Sequence, residues 1–348
     1  MRTIMERSEQ RNYSLDLLRI MAIYFVILTH CATKSQFVFS DGFSSNRLMV
    51  QLCSVGGFAD GLFFMLSGYF LIQCHADMRH IARKTGRIFA KSFVYSTVLL
   101  FVFQWPNIGL HQIYEAVFSA IDGKYWFITI YIVIYLFHPY INACLNNLSE
   151  HQYKQMMMLQ FILWIVVPGI FQFDIGVGTS MIPYGLMMYS IGAYFRIHPL
   201  IFHHRKLLIG MFITIVILRI CLYYMSDKEI ISSKISQTLE NQLGSVQSIT
   251  MYVLSILFFA FFLTTNIKPA RILPEISKTS LGVYLLHNNE FLKKFIWIDL
   301  FNNPDRINEP CLLPLMLAET AVVYISCSFV DWIFDKCFNF HKRSKHKG

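Results

Sequence analysis

Hydrophobic and polar positions along this chain fall into long blocks, without the short alternation of strands. Apolar blocks lie near 15–33, 52–73, 88–104, 125–141, 156–173, 180–196, 207–225, 248–266, 280–298 and 311–334. Each is long enough, or nearly so, to cross a hydrocarbon core of ~30 Å as a helix. The pattern predicts an all-α, polytopic membrane bundle of about ten transmembrane helices. The blocks at 156–173 and 180–196 are short and flank Asp174-Ile175-Gly176-Val177-Gly178, so they form either two spans or one interrupted span, and the count is ten or nine. Two of the intervening segments carry apolar residues every fourth position: Ile231, Ile235, Leu239 and Leu243, and Ile113, Val117 and Ile121. Each predicts a short amphipathic helix on the outer surface, either rimming a binding mouth or capping the bundle.

Composition removes the soluble alternatives. A hydrophobic fraction of 55%, a charged fraction of 15% and a mean hydropathy of +0.46 leave too little polar surface for a water-soluble globule of 348 residues. Charge placement then decides the count. With the N-terminus inside, the inner segments hold 20 Lys and Arg and the outer segments 8, with Arg19 and Arg219 inside spans. This asymmetry predicts an even number of spans and both termini in the cytoplasm, with tails at 1–14 and 335–348. The net charge of +9 is therefore a topology signal and an attraction to anionic membrane lipids. No basic stripe interleaved with aromatics points to nucleic acid. Arg2, Arg7 and Arg11 before the first apolar block give it the look of a secretory signal, but Arg19 and His30 lie inside it and no small-x-small cleavage site follows, so it reads as an uncleaved first span. None of the eight cysteines forms a CxxC pair, and only Cys31 and Cys53 are placed for a bridge near the outer face. Without an internal repeat or a soluble segment, residues 1–348 read as one integral membrane domain.

Ionisable residues inside the apolar blocks are the candidates for chemistry. Arg19 and His30 are eleven residues apart, which brings them within ~20° of the same helix face and ~16 Å apart along the axis. Charged groups in hydrocarbon are costly, so such a pair marks a functional path. His30 can take a proton from an attacking hydroxyl and return it to a leaving thiolate. In the second block Asp60 reaches a similar depth, either as the carboxylate orienting the His30 imidazole or as the cap of its own span. Arg79, His80, Arg83, Lys84, Arg87 and Lys91 form a basic start to the third block, suited to phosphate but equally explained by topology. His287 enters the ninth block ~10 Å from its cytoplasmic start, and Glu290 lies one turn on along the same face. Arg219 and Asp331 sit near span ends, where snorkelling or capping accounts for them.

Together these features resemble the acyltransferase-3 family of bacterial integral membrane acyltransferases of the O-acetyltransferase type. The resemblance covers nearly the whole chain. It rests on Arg19 and His30 at the Arg-x10-His spacing, Leu62-Phe63-Phe64-Met65-Leu66-Ser67-Gly68, Trp126-Phe127 opening the fourth block, and Tyr284-Leu285-Leu286-His287 in the ninth. It departs from the family at Lys84, where Lys84 and Arg87 stand for an Arg pair, and at Ala90, where Pro is common. The resemblance implies transfer of an acetyl or other short acyl group from cytosolic acyl-CoA, acting as co-substrate, to a hydroxyl of a cell-surface polysaccharide or lipid-linked glycan. It also implies residence in the bacterial inner membrane. His30 would be the catalytic base, assisted by Asp60. Arg19, Lys84 and Arg87 would hold the acyl donor, and Ser67, Trp126, His287 and Glu290 would shape a tunnel. No bound cofactor and no metal are expected, since the histidines lack zinc-ligand spacing. The competing expectation is a polysaccharide exporter or flippase whose buried charges line a path, although paired halves are not evident.

Overall fold

The computed structural model describes residues 11–39, 44–54, 56–75, 77–121, 125–171, 181–199, 205–228, 245 and 247–344. Among them all regular structure is helical. In chain order the helices are α1 (Tyr13–Lys34), α2 (Ser45–Cys53), α3 (Gly56–Leu71), α4 (Met78–Gln104), α5 (Leu110–Val117), α6 (Trp126–Asn146), α7 (Glu150–Phe161) and α8 (Val167–Phe171). They continue with α9 (Ile182–Ile197), α10 (Arg205–Asp227), α11 (Ile249–Thr264), α12 (Ile272–Lys278), α13 (Ser280–His287), α14 (Glu290–Lys294) and α15 (Leu312–Ser344). Wider π turns join α7 to α8 over Ile162–Val166 and extend α14 over Phe295–Leu300. Side-chain caps set several starts. Asn12 accepts from the Ser14 and Leu15 amides, Asp77 from His80, Ser149 from Gln152 and Ser248 from Met251, each satisfying a donor the helix cannot.

Among the described residues six segments are long and apolar enough to cross a membrane: Tyr13–Lys34, Ser45–Leu71, Met78–Gln104, Trp126–Asn146, Arg205–Met225 and Leu312–Cys337, with Ile249–Thr264 a shorter apolar helix. The expected span at 280–298 is not one helix. α13 stops at His287, Asn288 closes it, and the Asn289 side chain accepts from the Phe291 amide to begin α14. Two consecutive Asn residues thus end one helix and start the next in place of a continuous span. The Gly-rich bend at 174–178 and the expected surface helix at 231–243 lie outside the described residues. The companion pattern does form α5, whose Ile113 and Val117 face outward, as does Ile121 beyond its end.

The core is built on α3, which packs most extensively against α9 and also against α1 and α11. Backbones approach closely there: Gly68 lies against the Tyr189 carbonyl and Gly192 against the Met65 carbonyl, so a Cβ at either position has no room. Small residues at such crossings let membrane helices pack without a hydrophobic driving force. Large apolar side chains point outward from α4, α10 and α15, among them Phe101, Val102, Ile213, Ile217, Ile325 and Phe329. Helices with this much exposed apolar surface suit hydrocarbon and not water. All eight cysteines are free thiols, Cys31 and Cys53 included.

Candidate active site

A cavity of about 770 Å³ opens between α1, α3, α4, α6, α12, α13 and α15. Its walls carry five cationic side chains, Arg19, Lys84, Arg87, Lys91 and Lys278, against two carboxylates, Asp60 and Asp335. Walls of low dielectric and mostly one sign of charge concentrate an anionic ligand. Phe63, Leu66, Phe127, Ile128 and Tyr131 supply an apolar lining, and the volume lies in the range of small-molecule sites.

α1 contributes as its spacing predicts. Arg19 and Ile23 line the cavity; His30 follows on the same face nearly two turns beyond Ile23 and is not among the lining residues. The Arg19 guanidinium does not reach out to headgroups. Its Nη1 donates to Ser277 Oγ at 3.0 Å, lies 3.9 Å from Asp16 Oδ1, and the group stands 5.8 Å from the Phe70 ring centroid. From α4, Lys84 holds its ammonium 4.3 Å above the Tyr135 ring, a cation–π contact. Arg87 lines the cavity with its side chain exposed. Lys91, one turn further, also lines it and pairs with Asp331 at 2.6 Å and Asp335 at 3.0 Å.

His30 meets an imidazole where the sequence suggested a carboxylate. Its Nδ1 lies 2.9 Å from His287 Nε2, and His287 Nδ1 lies 2.6 Å from the Val283 carbonyl oxygen. His287 is fully buried, while His30 is partly so. Asp60 is buried on α3 and faces the cavity; it makes no hydrogen bond to His30 among the described residues. Similar depth in a bundle does not place two residues on facing sides, and here the helices are turned so that α13 faces α1. Tyr284 links the two regions, lining the cavity and packing its ring edge-on against His287 at 6.0 Å.

The remaining expected residues divide. Ser67 lines the cavity and donates its hydroxyl to the Phe63 carbonyl one turn back. Trp126 stays outside the lining, packed edge-on against Phe127, which takes the place at the wall. Glu290 leaves the site because the Asn288-Asn289 break turns it outward to pair with Lys293 at 2.7 Å. Nor do Arg219 and Asp331 snorkel. Arg219 is fully buried and donates to Thr250 Oγ1 at 3.0 Å. Asp331 is fully buried too, against Lys91 and the Tyr95 hydroxyl at 2.6 Å, in space that Gly282 leaves open.

Spacing along the sequence missed the support behind His287. Tyr125 donates to the Leu285 carbonyl at 2.9 Å, and Asn289 Nδ2 donates to the Tyr125 and Ser96 hydroxyls at 2.7 and 3.1 Å. The Asn pair after His287 was the available signal, since Asn favours helix ends.

A family model described as an acyltransferase domain matches residues 12–330, nearly the whole chain. The chain belongs to the acyltransferase-3 family. Neither a curated protein nor a solved structure matches it. In this acyltransferase-3 protein the matched region includes both members of the histidine pair and every cavity-lining residue except Phe334 and Asp335 of α15.

Proposed function

We propose that this acyltransferase moves an acetyl or other short acyl group from acyl-CoA to a hydroxyl of a cell-surface polysaccharide or lipid-linked glycan. The observation that carries the proposal is the cationic, partly aromatic cavity lined by Arg19 and Ile23, on the α1 face along which His30 follows nearly two turns further, beyond the lining. The anionic nucleotide of the donor rests on Arg87 and Lys84, with Lys91 and Lys278 adding positive charge. Its pantetheine arm follows the Arg19–Ile23 face and brings the thioester to His30. His30 takes the proton of the acceptor hydroxyl as the new C–O bond forms. When the C–S bond breaks, it returns that proton to the departing thiolate. Asp60 faces the cavity as a hydrogen-bonding group for the donor arm, in place of orienting His30.

In this reading the protein crosses the bacterial inner membrane about ten times, once through the broken α13–α14 segment, with both termini and the donor side cytoplasmic, and works without a resident metal or cofactor. The test is thiol release from acetyl-CoA by the purified chain, with and without a glycan acceptor. His30→Ala should lower acceptor-dependent release at least ~100-fold while membrane insertion is unchanged. Near-wild-type transfer by that variant would remove His30 from the chemistry.

A further inference from the structure

Two imidazoles in contact cannot both present a lone pair, nor can both present a proton, and the surroundings of His287 decide between them. We infer that His287 is the positioning residue that holds His30 in the tautomer protonated on Nδ1, leaving His30 Nε2 as the proton acceptor; the inference deepens the transferase reading and rests on it for the chemistry.

The assignment starts at the backbone. His287 Nδ1 lies 2.6 Å from the Val283 carbonyl oxygen, which accepts and never donates, so Nδ1 must carry a proton. A neutral imidazole protonated there has its lone pair on Nε2. That nitrogen lies 2.9 Å from His30 Nδ1, which therefore donates. His30, neutral and protonated on Nδ1, is left with its own lone pair on Nε2. The opposite direction would require His287 to donate from both nitrogens as an imidazolium. His287 is fully buried and its hydrogen-bond partners among the described residues are a carbonyl and another imidazole. A cation there would have no counter-charge, at a cost hydrocarbon-facing sites do not tolerate.

The chain from Val283 carbonyl to His287 to His30 does for His30 what a carboxylate does in a hydrolytic triad, with a difference of charge. When His30 Nε2 takes the acceptor proton, the imidazole becomes cationic and its Nδ1–H bond to neutral His287 becomes charge-assisted. That bond strengthens only as the hydroxyl loses its proton, so it favours the transition state over the ground state. No second proton moves. Return of the Nε2 proton to the leaving thiolate restores the starting tautomer. The α13 helix fixes the relay, since Val283 and His287 are one turn apart and the Asn288-Asn289 break is tied to Tyr125 and Ser96.

The experiment compares His287→Gln, whose side-chain carbonyl can accept from His30 Nδ1, with His287→Leu, which cannot. Acetyl-CoA turnover should fall at least ~100-fold in kcat for His287→Leu, with KM for acetyl-CoA within twofold of wild type, and less than tenfold for His287→Gln. Equal losses in both variants, or kcat retained by His287→Leu, would overturn the inference. A readout independent of turnover is the ¹⁵N spectrum of histidine-labelled full-length protein in detergent micelles, with His30 assigned by its loss in His30→Gln. The wild type should show His30 protonated on Nδ1 with a bare Nε2, and His287→Leu should lose that preference. His30 protonated on Nε2 in the wild type would overturn the inference whatever the kinetics. Wild-type protein that releases no thiol from any short acyl-CoA would instead sink the transferase reading, and the spectrum would still decide the tautomer.

Discussion

At the scale of single residues, the two basic candidates on α4 differ in what they already touch. Lys84 has its ammonium over the Tyr135 ring, whereas Arg87 offers an exposed guanidinium at the cavity wall. An Arg fork can hold a phosphate through two parallel bonds, which a lysine cannot. Arg87→Ala should therefore weaken acyl-CoA binding by roughly tenfold, the worth of a hydrogen bond to a charged group, and Lys84→Ala by less. Calorimetric titration of the purified variants checks the order, and equal affinity for wild type and Arg87→Ala would place the nucleotide elsewhere. The same scale shows what spacing can and cannot tell. The shared face of Arg19 and His30 follows from helix geometry alone. The partner of His30 does not, because His287 is 257 residues away in sequence. Counting along the spans can put Asp60 at a similar expected depth, but rotation around the bundle is a property of packing.

Among elements, the contact between α4 and α15 buries one charge pair, Lys91 with Asp331, beside a half-exposed Asp335. Lys91 joins Asp331 and Asp335, and Tyr95 donates to Asp331. Removing one member of a buried pair strands the other, at a cost of roughly 3–5 kcal/mol, while removing both costs much less. Lys91→Met should accordingly lower the melting temperature in detergent, and Lys91→Met with Asp331→Asn should recover much of the loss. If the double variant melts no higher than the single one, the pair does not join these helices energetically. Across the core, Gly192→Ala drives a methyl into the Met65 carbonyl. A loss of about 3 kcal/mol is expected, the upper part of the overpacking range, because backbone cannot repack as a side chain does. Thermal unfolding measures this too. Helix positions were largely legible from block length. The ninth block was not, because its apolar average hides Asn288 and Asn289, and a helix stop is decided by one or two residues.

For the whole molecule, the proposed topology, drawn from the 20-to-8 division of Lys and Arg, would turn the cavity's basic wall toward the cytoplasm. In a background without native cysteines, a cysteine replacing Leu110, the exposed first residue of α5, should react with an impermeant thiol reagent added outside intact cells. One replacing Arg79 should react only after the membrane is opened. The reverse pattern would put the cationic cavity on the side acyl-CoA cannot reach, and the proposed transfer would fail with it. The apolar faces of α4, α10 and α15 read from the sequence as membrane spans and are outward in the fold. The cavity between the helices could not be read that way. Its walls come from seven helices spread from Arg19 to Asp335, and no local pattern records which faces converge.

The glycine crossing of α3 and α9 has a mechanical consequence. One side of the cavity is a fixed jaw, because backbone rests on backbone at Gly68 and Gly192 and nothing there can rotate away. The other side, α4, turns large apolar side chains such as Phe101 and Val102 outward and is less enclosed than the segment containing α3. If the proposed acyl-CoA donor binds here, the site must widen to admit and discharge its nucleotide, and the less enclosed jaw is the one to yield. Amide exchange in α4 should therefore outpace exchange in α3, and its opening frequency would set a ceiling on turnover.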